Sequence, residues 1–157
     1  AEGISDIEAY IRFAKDDDAG MIGHAMIEDD LKVFYQQPWV MVASDGGIAN
    51  NHPRGAGTFP RVLGRYVREQ GWMTLPEAIR KMTAMPAARM GLKDRGRIAP
   101  GMKADLVLFD PKTVIDRSTF EQPRALATGI SRVWVNGAVV WTGTAAAGAH
   151  PGRVLTR

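Results

Sequence analysis

The chain has 157 residues, 45% of them hydrophobic and 24% charged, which is the make-up of a single soluble globular domain. Its formal charge of +3 comes from arginines scattered through patterned segments, so it reads as solvated surface and not as a nucleic-acid footprint. With no cysteine, the chain itself can supply neither disulfides nor thiolate metal ligands. No run approaches the roughly 18 apolar residues of a membrane span, and no basic region leads into an apolar core at the amino terminus. A soluble cytoplasmic protein is the expectation; a processed secreted chain would read the same.

Ser5 and Glu8 form a capping box, which predicts a helix with Ile7, Ile11 and Ala14 as its inner stripe and residues 16–20 as its end. Residues 21–26 read as a strand, and 28–35 as a short helix whose acidic residues sit at its positive end. Gln37-Pro38 then imposes extended geometry. Residues 39–43 are apolar without alternation, the pattern of a strand buried on both faces of a parallel sheet. The run stops on Ser44-Asp45-Gly46-Gly47, where the glycines allow a sharp turn and leave Asp45 at the carboxyl end of the strand. Ligands and catalytic groups gather at such ends in α/β folds, although a plain polar strand-to-loop turn would account for these residues as well. The succession of helix, strand, helix, strand is the βα rhythm of a parallel sheet.

A loop is expected from 46 to 57, followed by a helix capped by Thr58, with Pro60 in its first turn. Val62, Leu63, Tyr66 and Val67 give that helix an apolar face, and Gly71 stops it. Thr74 and Glu77 make a second capping box, opening a helix with Ala78, Ile79 and Met82 on its buried side. Residues 85–90 form a shorter helix closed by Gly91. The pattern then changes from helical to β: Arg97-Ile98, 104–109 and 130–141 read as strands. Pro100-Gly101 is a turn, and Asn136-Gly137 is a strong hairpin signal. Residues 111–129 read as a surface connection, and the small-residue stretch 142–148 as a mobile one. The change near residue 92 is the expected boundary.

Three segments carry a family resemblance. They are Ser44-Asp45-Gly46, the run Asn-His-Pro-Arg-Gly-Ala-Gly-Thr-Phe-Pro-Arg-Val-Leu-Gly at 51–64, and Arg-Gly-Arg-Ile-Ala-Pro-Gly-Met-Lys-Ala-Asp-Leu-Val-Leu-Phe-Asp at 95–110. Residues 75–83 and 85–89 support them. Together they resemble the carboxyl-terminal third of the amidohydrolase superfamily. The last segment is shared by many of its members, whereas the first two narrow the resemblance to the D-aminoacylase (N-acyl-D-amino-acid deacylase) family. The resemblance implies an α/β fold: residues 1–91 as the last βα units of a (β/α)₈ barrel, and 92–157 as strands of a small composite β-sandwich. A complete barrel needs about 250 residues, so the chain is expected to be part of a longer enzyme or one chain of a processed one. The remaining amino-terminal part, in the same or a companion chain, is then a partner.

In this superfamily metal-bound water attacks the amide, and a carboxylate takes its proton and passes it to the leaving amine. The resemblance assigns that carboxylate to Asp45. It assigns Arg54 to the substrate carboxylate, which a guanidinium can hold with two parallel hydrogen bonds; the alternative is a loop arginine paired with an acidic neighbour. His52 is either a substrate-site residue or a group that fixes the loop. His24 reads as a hydrogen-bonded core histidine and His150 as exposed. Gly55, Gly57, Thr58 and Phe59 are expected to shape the loop, with Phe59 packing it down or lining an acyl pocket, and Asp105 is expected to be structural. The zinc of the complete enzyme needs at least three well-placed ligands, and these are expected mostly outside this chain, which alone should be inactive. The small-molecule substrate implied is an N-acyl-D-amino acid. A dihydroorotase- or hydantoinase-like enzyme and a non-catalytic assembly subunit are the competing readings.

Overall fold

The computed structural model describes residues 3–15, 26–47 and 51–155. The expected helix end at 16–20, the strand at 21–26 save for Met26, and His24 lie outside the described residues. Two compact units are present, residues 1–31 and 32–157. In the first, α1 (Asp6–Lys15) begins at the expected capping box: the Glu8 amide donates to Ser5 Oγ at 3.2 Å. None of its residues is buried, and Ile7 and Ile11 of the apolar stripe are exposed.

The second unit begins within α2 (Glu28–Gln36) and runs to the carboxyl end. The segment after Pro38 corrects the sequence reading. Residues 40–47 form no strand, and only Val42 is buried, between exposed Met41 and Ala43. A parallel strand needs neighbours on both sides to satisfy its amides, and the described residues supply none. Helix α4 takes their place: the Val42 amide donates to Lys81 O at 3.1 Å.

A second correction concerns the next helix. It starts at Arg54, not near Thr58, so the expected loop is four residues shorter. Helix α3 (Arg54–Arg61) runs directly into a π-helix (Val62–Glu69). Thr58 lies inside α3, and its hydroxyl donates back to Arg54 O at 2.8 Å instead of capping an amide. Pro60 also falls inside the helix. A proline there has no N–H for the regular ladder and crowds the preceding turn, and the wider π spacing follows it, as in Gln70 N–H to Arg65 O at 2.9 Å. The expected apolar face is correct. Val62 and Tyr66 join Val42 and Ala78 in the core, with Tyr35, Val67, Trp72, Met73 and Met82 packed around it. Tyr66 stacks on Trp72 with centroids 4.3 Å apart. Burial, assisted by nearby Tyr66, pushes the Tyr35 hydroxyl up to about 12.

Helix α4 (Leu75–Met82) opens at Thr74, whose side chain accepts the Glu77 amide as expected, and α5 (Ala84–Arg89) follows it. Beyond them, β1 (Leu106–Phe109), β2 (Ile130–Val135) and β3 (Ala138–Trp141) form an antiparallel sheet in that order. Asn136 and Gly137, with φ of 49° and 84°, make the tight turn between β2 and β3. The expected strand at Arg97-Ile98 is absent; Ile98 is 89% exposed and has no packing face to favour extended pairing. Asp105 is structural as expected: its carboxylate accepts the Asn136 amide at 2.7 Å and pairs with Arg95. Burial raises its pKa, but the Asn136 amide and Arg95 outweigh that and leave it below the usual carboxylate range.

Residues 111–118 are more than a surface connection, because they pack along the α3–π-helix face that carries Gly57, Arg61, Gly64 and Arg68. These four recur every three or four positions and so share one side of the helix. A Cβ on Gly64 would lie 2.5 Å from Val114 O, and one on Gly57 would crowd Ser118 Oγ and Asp116. Between the glycines, Arg61 donates through Nε and a terminal nitrogen to Asp116 Oδ2 at 3.0 and 2.8 Å. Arg68 reaches Val114 O, and Val114 is fully buried. The helix and the 111–118 segment between β1 and β2 are thus locked together directly. Among the described residues, no helix is long and apolar enough to cross a membrane.

Candidate active site

Helix α4 places the segment that leads to Asp45. Lys81 is 1% exposed, and its Nζ donates to Gln37 O and, at 3.0 Å, to Val40 O. Arg80 reaches Pro38 O at 3.3 Å. Burial lowers the Lys81 pKa, while Glu77, with its carboxylate 3.8 Å away, partly offsets this. A lysine is suited to this task because its ammonium offers three donors from one compact point. The turn at residues 37–40, which leads to Asp45, is thereby held by a side chain from α4.

At the end of this segment the chain turns. Asp45 adopts φ of 47°, a left-handed conformation that aspartate tolerates better than most residues. The Gly46 amide donates to Ser44 Oγ at 3.3 Å. Gly46 then meets Gly55 backbone to backbone: an added Cβ would lie 2.5 Å from Gly55 Cα. Only glycine allows that approach, and it brings the Asp45 turn against the first turn of α3.

There the three site residues predicted from the sequence come together. Arg54, the first residue of α3, donates from Nε to Asp45 O at 3.0 Å, and a terminal nitrogen lies 3.1 Å from Asp45 Oδ2. The Arg54 amide donates to His52 Nδ1 at 3.1 Å, which ties the loop to α3, and the His52 ring stands edge-on to Phe120 at 5.2 Å. Arg54 thus pairs with an acidic neighbour, Asp45. The pair stays accessible, with the Asp45 side chain 83% exposed and that of Arg54 42%. Phe59 is partly exposed and His150 lies in the exposed tail. A cleft lined by Ala84, Ala87, Leu92 and Arg95 shares none of these residues.

Two parts of the site were missed in the sequence. Lys81 falls three residues after Ala78 and one before Met82, so helical spacing alone puts it on the buried face. The second is the segment 116–124, which covers the loop. Ser118 Oγ donates to Pro53 O at 2.9 Å, and Arg124 reaches Asn51 Oδ1 at 3.4 Å. No periodicity marks a contact between residues 65 positions apart.

A zinc ion is implied by the family resemblance, but the donors do not fit one. Among the described residues, no three His, Asp or Glu side chains converge as a metal would require. Asp45 is instead engaged by a cation.

The resemblance read from the sequence holds in both sequence and structure. A D-aminoacylase of Alcaligenes xylosoxydans xylosoxydans is 49% identical over 141 residues, which make up 88% of this chain and 29% of that enzyme. The crystal structure of a D-aminoacylase superposes with a TM-score of 0.80 at 48% identity, over 84% of this chain and 28% of that one. The N-acyl-D-glutamate deacylase of Bordetella bronchiseptica, solved with zinc and a phosphonate that mimics the tetrahedral intermediate, gives 0.77 at 48% identity, over 83% and 28%. This chain therefore spans under a third of the length of the relatives it matches. The sequence model of the amidohydrolase family aligns with residues 29–141, and the chain belongs to that family.

Proposed function

We propose that the chain is the carboxyl-terminal portion of a zinc-dependent amidohydrolase that cleaves the amide of N-acyl-D-amino acids to a carboxylic acid and a D-amino acid. Residues 1–91 would be the last βα units of its barrel and 92–157 a segment of its β-sandwich. The observation that carries this is the joining of Asp45 and Arg54 at the turn before α3, in a chain close to half identical to deacylases along most of its length.

The chemistry needs a proton carrier and a carboxylate clamp. Water adds to the acyl carbon and the carbon–nitrogen bond breaks; Asp45 accepts the water's proton and delivers it to the departing amine. Arg54 binds the substrate carboxylate through its planar fork. His52, by accepting the Arg54 amide, fixes the backbone that carries the fork. The family resemblance assigns the zinc ligands mostly to the rest of the enzyme. A cytoplasmic location belongs to the same reading.

The test is an amine-release assay on the complete enzyme with N-acetyl-D-amino acids, their L-enantiomers and cyclic amides. Turnover confined to the linear D-substrates is expected. Preference for dihydroorotate or hydantoins would move the chain to a cyclic-amide branch of the family. Mass spectrometry of the purified assembly should show the remaining part of the enzyme covalently joined or as a companion chain. A homo-oligomer of this chain alone, without amine release, would make it a non-catalytic assembly subunit.

A further inference from the structure

We infer that Ser118 is a positioning residue for the carboxylate clamp: its buried hydroxyl fixes the Pro53–Arg54 peptide and so aims the Arg54 side chain. The inference rests on the reading of Arg54 as the substrate-carboxylate fork.

Ser118 is only 4% exposed, and its Oγ donates to Pro53 O at 2.9 Å. That carbonyl belongs to the same planar peptide as the Arg54 amide. The other edge of this peptide is also tied, because the Arg54 amide donates to His52 Nδ1 at 3.1 Å. A peptide held at both edges cannot rock about its Cα–Cα axis, and the direction of the Arg54 side chain is set with it. The surrounding contacts act on the same few residues. Phe120, two positions after Ser118, holds the His52 ring edge-on, and Arg124 reaches Asn51. Asp116, two positions before, is paired with Arg61 one turn beyond Gly57 on the same helix face. Gly57 leaves the space that Ser118 Oγ fills. Pro53 O also accepts the Gly57 amide at 2.8 Å, so removing the serine hydroxyl takes one of the two restraints off this carbonyl and loosens the peptide without leaving its carbonyl unpartnered.

The experiment compares Ser118→Ala with wild type in the complete enzyme. The substrates are an N-acetyl-D-amino acid and the same compound with its carboxylate converted to a carboxamide. KM for the carboxylate substrate should rise about 3- to 10-fold, the range of one net hydrogen bond. KM for the carboxamide should stay within twofold, and kcat should change little for either. In an Arg54→Ala background, Ser118→Ala should add nothing further. Equal effects on both substrates, or a full additional effect in the Arg54→Ala background, would reduce Ser118 to a packing residue and overturn the inference. If Arg54→Ala raises KM but Ser118→Ala does not, the positioning role alone fails. If Arg54→Ala leaves KM for the carboxylate substrate unchanged, the clamp reading fails and takes this role with it. Should circular dichroism show Ser118→Ala to be unfolded, Ser118→Cys keeps the volume with a much weaker donor and carries the same comparison.

Discussion

Arg54 grips Asp45 at two points, its Nε donating to the Asp45 carbonyl at 3.0 Å and a terminal nitrogen lying 3.1 Å from Oδ2. One contact holds the backbone and the other the carboxylate, so the guanidinium restrains a residue that already sits at φ of 47°. Both side chains are substantially exposed, and an exposed ion pair contributes at most about 1 kcal/mol. The pairing is therefore chiefly geometric. A substrate carboxylate could take the Arg54 terminal nitrogen at little cost and leave the Asp45 carboxylate free to receive a proton.

If Asp45 is the proton carrier, Asp45→Asn in the complete enzyme should lower kcat by about 10²–10⁴-fold, with a smaller change in KM. Asparagine keeps the backbone carbonyl that Arg54 Nε holds, and it tolerates the left-handed conformation, so circular dichroism should match wild type. A variant retaining more than about a tenth of wild-type kcat, well above the usual acid–base factor, would remove Asp45 from the chemistry.

The close packing of the helix on residues 111–118 makes a prediction for stability. Gly64→Ala places a methyl against Ile115 and 2.5 Å from Val114 O, and overpacking of this kind costs roughly 1–3 kcal/mol. Gly152→Ala, where an added Cβ meets nothing within 4 Å, should be close to neutral. Thermal melts of the two variants should separate clearly. Equal Tm values would show that the contact yields without strain.

Local signals in the sequence located the elements, and long-range ones did not locate their partners. The capping boxes at Ser5 and Thr74 and the Asn136-Gly137 turn were legible because each is satisfied within four residues. Asp45, Arg54 and His52 were legible as neighbours because their motif is short. The start of α3 was not, because its N-cap is Pro53, which has no capping side chain, and the glycines that follow argue for a loop. Residues 39–43 were read as a doubly buried strand because composition records apolarity and not the presence of neighbours. The hold of Lys81 on residues 37–40 and of Ser118 on Pro53 spans 41 to 65 positions, beyond the reach of any periodicity.

Lys81→Met tests the support under Asp45. Methionine fills the space, but Val40 O loses its donor and Gln37 O keeps only the Val40 amide at 3.3 Å, and an acceptor left unsatisfied away from water costs roughly 1–3 kcal/mol. The variant should melt lower than wild type, and hydrogen exchange should rise at the Val42 amide, whose partner is Lys81 O. Unchanged protection at Val42 would show that the backbone contact holds the segment without the ammonium.

Asp105 gives a pH dependence. Its pKa in the folded chain lies below the usual range, since the Asn136 amide and Arg95 outweigh its burial. Unfolded aspartate titrates near about 3.9. The folded state is therefore favoured by the ionised form above that pH, and this stability is lost as pH falls through the lower folded value. Asp105→Asn should lower Tm at pH 7, and the gap to wild type should narrow steadily below about pH 4. A gap that stayed constant down to acid-denaturing conditions would mean that the carboxylate charge is not what holds the β2–β3 turn.

Arg54→Lys separates binding from chemistry. A lysine ammonium is a point charge and cannot present two parallel donors to a carboxylate. KM for N-acyl-D-amino acids should therefore rise about tenfold or more, in line with the loss of one charge-assisted hydrogen bond of about 1.5–3 kcal/mol. Because Arg54 also holds Asp45 through Nε, kcat should fall too, but only a few-fold, since that exposed pairing is weak. With a carboxamide substrate the binding contribution is absent, so KM should match wild type and only the modest kcat loss should remain. The opposite pattern, a large kcat loss at unchanged KM, would mean that Arg54 acts on the reacting atoms or mainly on Asp45. The carboxylate clamp would then have to be sought elsewhere in the complete enzyme.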